Sequence, residues 1–261
     1  MTTRADRTIA ALRSIHDDLA RLVPTLSGDQ LNGPSGASEW SVAQVLSHLG
    51  SGAEIGQAGY RAAIDGTAPP EQDFNKGVWD RWNAMSPADQ AAGFLRADAD
   101  LVATLEALSP EQREGTQMKL GFLPAPIPLA AAAGMRLGEA AQHAWDVKVA
   151  LDPGATVDAA AADVMLEHYS DGLGFLLGFT GKADRLATPA VVALEGTDLA
   201  LIIDDSVHLG AGADPTATFT GASESVIRLL GGRLTAPYTP TGVQVTGNVT
   251  LEDLREVFPG Y

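Results

Sequence analysis

Trp40-Ser41-Val42-Ala43-Gln44-Val45-Leu46-Ser47-His48-Leu49 is the stretch that decides the fold. Ser41 with Gln44 three positions on is a capping box, and Trp40 and Val45 are spaced for a hydrophobic staple. The helix opened here runs to about Ile64, where Asp65-Gly66-Thr67-Ala68-Pro69-Pro70 forces a loop. It carries His48 at the edge of its apolar stripe.

On the N-terminal side, Ile9, Leu12, Ile15, Leu19 and Leu22 recur at three- and four-residue steps and predict an amphipathic helix over 8–23. Leu26 to Ala37, rich in Gly, Pro, Ser and Asn, ends it. On the C-terminal side a long connection leads to Ser86-Pro87-Ala88-Asp89, which joins an N-cap to a proline at the first helical position. That helix runs through Phe94, Leu101, Val102, Leu105 and Leu108, and Ser109-Pro110-Glu111-Gln112 starts a short turn by the same logic. Pro124, Pro126 and Pro128 fix an extended approach to a fourth long helix, from about Pro128 to Leu151. Asp152-Pro153-Gly154 terminates it.

Residues 1–152 therefore read as an antiparallel four-helix bundle. After Gly154 the pattern changes. Ala159 to Gly178 reads as a helix, but 189–194, 199–204, 206–209 and 216–220 are short β-branched or alternating segments between turn residues. Helices near 224–230 and 251–258 flank a further strand around 243–246. Residues 156–261 read as a small α+β domain, so the fold class is mainly α plus α+β.

Composition narrows the function. With 33 acidic against 17 basic residues and a formal charge of −16, the surface repels nucleic-acid phosphates and anionic membranes. There is no cysteine, which excludes disulfides, cysteine-ligated zinc and a catalytic thiol of the chain's own. Thiol chemistry here needs an outside thiol. Met1 to Ala10 lacks the apolar run of a secretory signal, and no segment is apolar for about 18 residues, so a cytoplasmic protein is expected. No G-x-x-x-x-G-K-[ST] loop, G-x-G-x-x-G turn or G-x-S-x-G elbow is present.

The chemistry-bearing residues are split across the bundle. Glu139 and His143 are four apart and share one helical face. Alone, that pair is also what a solvated helix face looks like, and His48 alone is also what a satisfied core histidine looks like. Together, on helices that pack side by side, they place two imidazoles and one carboxylate around a common ion with a coordination position to spare, a pattern that suits catalytic zinc and also Fe(II). His16 reads as a core histidine or a group behind the ligands, with no carboxylate at helical spacing towards the core. His168 and His208 read as structural or exposed. Asp146 is either an acceptor for the His143 imidazole or a surface charge. Arg136 reads first as an ordinary helix ion pair, and otherwise as an orienting or anion-binding group.

Trp40-Ser41-Val42 leading into His48-Leu49, and Arg136-Leu137 leading into Glu139, His143 and Asp146, resemble the mycothiol-dependent maleylpyruvate isomerase family within the DinB/YfiT-like superfamily. The resemblance covers the bundle and extends to residues 156–261, similar to the family's sterol-carrier-like C-terminal domain through Leu229-Leu230-Gly231-Gly232-Arg233-Leu234. It implies zinc, or another divalent metal, on His48, Glu139 and His143, mycothiol as the thiol cofactor, and Arg233 as a binder of substrate carboxylate. It implies isomerase or S-transferase chemistry on a small electrophile. The stretch 122–135 departs from this, being apolar where a dianionic substrate calls for basic groups. Were it to line the pocket, a hydrophobic electrophile would fit better than maleylpyruvate. Two other classes stay open: a noncatalytic metal- or ligand-binding protein whose second domain sequesters an apolar molecule, and a non-haem iron enzyme.

Overall fold

The structure is a computed structural model that describes residues 2–260. Residues 1–155 and 156–261 form two compact units.

The first unit is built on four long helices: α1 (Arg4–Leu22), α3 (Val42–Asp65), α5 (Pro87–Glu106) and α7 (Leu129–Val149). Their starts follow the local signals. The Ser41 hydroxyl accepts from Gln44 N while the Gln44 side chain accepts from Ser41 N, and Ser86 accepts from Asp89 N. These bonds satisfy amides that a helix start otherwise leaves unpaired. Shorter elements join them: α2 (Gly28–Asn32), α4 (Gln72–Asn83), α6 (Pro110–Gly115), and a two-stranded ladder of β1 (Gln117–Met118) with β2 (Ile127–Pro128).

The helix directions refine the bundle. Arg13 pairs with Glu106 and His16 with Asp98, so α1 and α5 are antiparallel. His48 meets Glu139 while Leu49 meets Arg136, so α3 and α7 are antiparallel too. In contrast, Gln57 donates to Thr104, and Gly50 and Gly93 both face the Trp82 ring, so α3 and α5 run parallel. The order is up, down, down, up. A parallel neighbour needs a long crossover, and 66–86 supplies it. The segment expected as a plain connection is the helix α4: among its apolar residues Val78 and Trp82 are buried while Phe74 and Trp79 stay exposed, too few inward positions to write a clear helical stripe. Its Trp82 ring fills the space over Gly50, where a Cβ would lie 2.1 Å from the indole.

The second unit carries a five-stranded sheet of β3 (Ala190–Leu194), β4 (Ala200–Ile203), β5 (Val207–Gly210), β6 (Ala217–Thr220) and β7 (Gln244–Gly247) in the order β5-β4-β3-β6-β7. Only the β3–β6 pair is parallel among the described residues. Ala190, Val192 and Leu194 point inward with Ala217 and Phe219, the alternation that marked these segments as strands. The helix expected over 159–178 stops at Ser170. Gly172 takes φ +81, and the chain resumes as a short turn and four helical residues, Leu177–Thr180. A left-handed glycine breaks the helical hydrogen-bond ladder. Two further helices, Ser223–Leu230 and Leu251–Val257, complete the unit. Among the described residues no helix is long and apolar enough to cross a membrane.

Candidate metal centre

His48 enters the site from the second turn of α3, and Glu139 and His143 enter from successive turns of α7. His48 Nε2 lies 2.9 Å from Glu139 Oε2, and His143 Nε2 lies 3.7 Å from the same oxygen. One donor atom from each residue falls within 4.8 Å of the others. Donors on a tetrahedral ion with bonds of ~2.1 Å stand roughly 3.4 Å apart, so the set matches the size of a zinc-like centre with small side-chain adjustment.

The local chemistry also fits. His143 Nδ1 donates to Asp146 Oδ2 at 2.8 Å, and Asp146 is fully buried. This holds the proton on Nδ1 and leaves Nε2 as the lone-pair nitrogen facing Glu139, the arrangement that orients a ligand imidazole. Of the two roles open to Asp146, the structure selects the acceptor. The loop before α3 is fastened to the same place: Gly36 N donates to the Asp146 carbonyl at 2.8 Å, and a Cβ on Gly36 would lie 2.9 Å from Asp146 Cα. Only a glycine permits that approach.

This loop carries Trp40. Its ring lies 5.2 Å from the His48 ring and 5.9 Å from the His143 ring, and the two imidazoles are 4.7 Å apart edge to face. The residue spaced as a helix staple thus forms one wall of the site. The donors remain accessible to solvent, with the Glu139 side chain 53% exposed, His48 39% and His143 14%.

Crowding by neighbouring atoms disfavours charge on Glu139. The hydrogen bond from His48 and the electrostatic influence of His143, His48 and Arg136 outweigh it and push the carboxyl down to about 2. The group is a carboxylate throughout the physiological range, as a ligand must be.

Other residues fall elsewhere than expected. Arg136 does not pair with Glu139 as a helix ion pair. Its Nη2 donates to Asp98 Oδ1 on α5 at 2.7 Å and to the Leu49 carbonyl on α3 at 3.1 Å. His16 is buried, as a core histidine, and donates from Nδ1 to Asp98 Oδ2 at 2.9 Å. The partner comes from another helix, which helical spacing cannot reveal. His168 is buried and His208 exposed. Arg233 lies in the second unit, half-buried in the turn after the 223–230 helix, with Nη1 donating to the Gly231 carbonyl at 2.9 Å. Of the apolar stretch 122–135, the loop part carries the exposed Phe122, and Leu129 stands ten residues, about 15 Å of helix, before Glu139. From there on Leu129, Ala132 and Ala133 are buried in the bundle.

Residues 12–148 match the model of the mycothiol maleylpyruvate isomerase N-terminal domain, more than half of the chain. Two crystal structures of mycothiol-dependent maleylpyruvate isomerase, one of them a histidine-to-alanine mutant, share the fold over 100% of this chain and 100% of theirs, with a TM-score of 0.66 at 14% identity. No curated protein matches the chain in sequence. The bundle, the order of its elements and the matched domain agree: this chain belongs to the mycothiol maleylpyruvate isomerase family, a family of mycothiol-dependent isomerases, and is an enzyme.

Proposed function

We propose that the chain is a metal-dependent enzyme that uses an external thiol of the mycothiol type to isomerise a small electrophile or transfer sulfur to it, with His48, Glu139 and His143 as the ligands of a zinc or similar divalent ion. The observation that carries this reading is the convergence of two imidazoles and a carboxylate on an open face, with the His143 proton fixed by buried Asp146. When bound, the ion supplies a Lewis acid that favours the thiolate form of a thiol at neutral pH.

The chain's own residues do the rest. His48, Glu139 and His143 hold the centre, Asp146 keeps the His143 proton on Nδ1, and Trp40 keeps water from one side of the imidazoles. With no cysteine present, no protein thiol competes for the open side. In the isomerase version the incoming sulfur adds to one carbon of an activated double bond, the new single bond rotates, and the sulfur leaves. Substrate and product then have the same composition. In the transferase version the sulfur displaces a leaving group and stays. The bundle is read as DinB-like and the second unit as sterol-carrier-like, with Arg233 as its candidate carboxylate-binding group. A reduced thiol cofactor suits the cytoplasm.

Metal quantification on the wild type and on His48→Ala, Glu139→Ala and His143→Ala tests the ligand set. Each substitution is expected to abolish most of the bound zinc, and wild-type occupancy in any one refutes it. In the cobalt-substituted protein, a visible spectrum that does not move when thiol is added would count against thiol use and favour a noncatalytic metal protein.

A further inference from the structure

Beneath the three donors lies a second cluster that this reaction does not use. Arg136 stands one turn before Glu139 on α7. Its Nη2 reaches Asp98 on α5 and the carbonyl of Leu49 on α3, the residue after His48, and Asp98 in turn accepts from His16 on α1. One guanidinium and one carboxylate thereby tie all four long helices together. The three side chains are at most 9% exposed. On the α3 side Gly52 offers bare backbone, since a Cβ there would lie 3.3 Å from Arg136 Nη1.

Burying a guanidinium and a carboxylate is a costly way to fill space. Their desolvation is repaid only by good mutual geometry, and apolar residues of similar volume often serve stability equally well. What apolar residues lack is direction. A planar guanidinium donating to Asp98 and to the Leu49 carbonyl fixes both the rotation and the axial register of α7 against α3. Those two variables set the distance between His48 and Glu139. A ligand set tolerates errors of only about 0.5 Å or 10–20°.

We propose that Arg136, anchored by Asp98 and through it by His16, is a positioning residue for the His48/Glu139/His143 centre, locking α3 and α7 in the register that brings the donors together. The inference rests on the metal reading above. It assigns the buried cluster to metal affinity and geometry in addition to stability.

The test is a cobalt(II) titration of the chain followed by visible absorption, with thermal denaturation of the metal-free chain alongside. The double variant Asp98→Leu/Arg136→Met replaces the pair by apolar side chains and is expected to fold, melting below the wild type because His16 loses its acceptor. Its cobalt affinity is expected to fall roughly tenfold to a hundredfold, with a changed absorption band. Arg136→Lys keeps a cation beside Asp98 but cannot reach the Leu49 carbonyl in the same geometry. It is expected to lose affinity as well, and it decides the question should the double variant not fold. Wild-type affinity and spectrum in Arg136→Lys, or in the folded double variant, overturn the inference and leave the metal reading standing. A wild type that binds no cobalt overturns both.

Discussion

His48 Nε2 and Glu139 Oε2 are 91 residues apart in sequence and 2.9 Å apart in space. Both side chains keep a large exposed fraction, so the pair adds little to the stability of the bundle. Glu139→Gln is therefore expected to change the melting temperature of the metal-free chain by an amount equivalent to less than about 1 kcal/mol, while lowering zinc affinity severely. Calorimetry on the metal-free protein and a chelator-competition titration separate the two effects. A large drop in stability without metal would mean that the pair is structural.

Asp146 acts on the centre without entering it. Asp146→Asn retains size but weakens the hold on the His143 Nδ1 proton, and is expected to lower zinc affinity about tenfold to a hundredfold. The same chelator competition measures it, and unchanged affinity would show that His143 is oriented by packing alone.

Acid should act on Asp98. Burial raises its pKa, but the hydrogen bonds from His16 and Arg136 and the charge of Arg136 outweigh this and hold it below the ordinary carboxylate value. A depressed folded-state pKa contributes stability that is present above the unfolded value, near 4, and is lost as pH falls through the lower folded value. Asp98→Asn leaves a buried guanidinium without its carboxylate, so at pH 7 it is expected to cost about 3–5 kcal/mol. Between pH 5 and pH 2 the variant should then lose less stability than the wild type. Urea melts across that range compare the two directly, and parallel curves would exclude Asp98 as a contributor.

Gly50 leaves room for Trp82. Its Cβ would lie 2.1 Å from an indole carbon, against 3.0 Å for a Cβ at Gly93. Gly50→Ala forces the buried indole to move and is expected to destabilise by about 1–3 kcal/mol, with Gly93→Ala milder. Urea midpoints of the two variants test the ranking.

In the second unit Arg228 is buried and bonded twice by Glu224, at 2.7 and 2.8 Å. Glu224→Ala removes its carboxylate, leaving the bond to the Tyr238 carbonyl, and is expected to cost about 3–5 kcal/mol. Amide exchange in β3 and β4 should accelerate accordingly, and wild-type protection there would show that the pair is dispensable.

Much of this was legible in the residues themselves. Capping boxes and helical periodicity act within one turn, so Ser41 with Gln44 and the spacing of Ile9, Leu12 and Ile15 announce their helices wherever the chain goes. Alternation did the same for the strands of the second unit. His48, Glu139 and His143 were visible as candidates because a face shared at four-residue spacing is also a local property. The helix α4 was missed because it buries too little to write a period, and the β1–β2 ladder because two-residue strands exist only through each other.

What the sequence by itself determined is thus the four long helices, most strands of the second unit and the residues able to ligate. Tertiary structure alone decided that α3 and α5 run parallel, that Trp40 lies against His48 and His143, and that Arg136 hydrogen-bonds Asp98 and the Leu49 carbonyl. The physical reason is range. Caps and periodicity are settled among residues within a turn of one another, whereas the partner of a buried charge is set by the rotation and register of whole helices, which depend on close approaches such as those at Gly36 and Gly50.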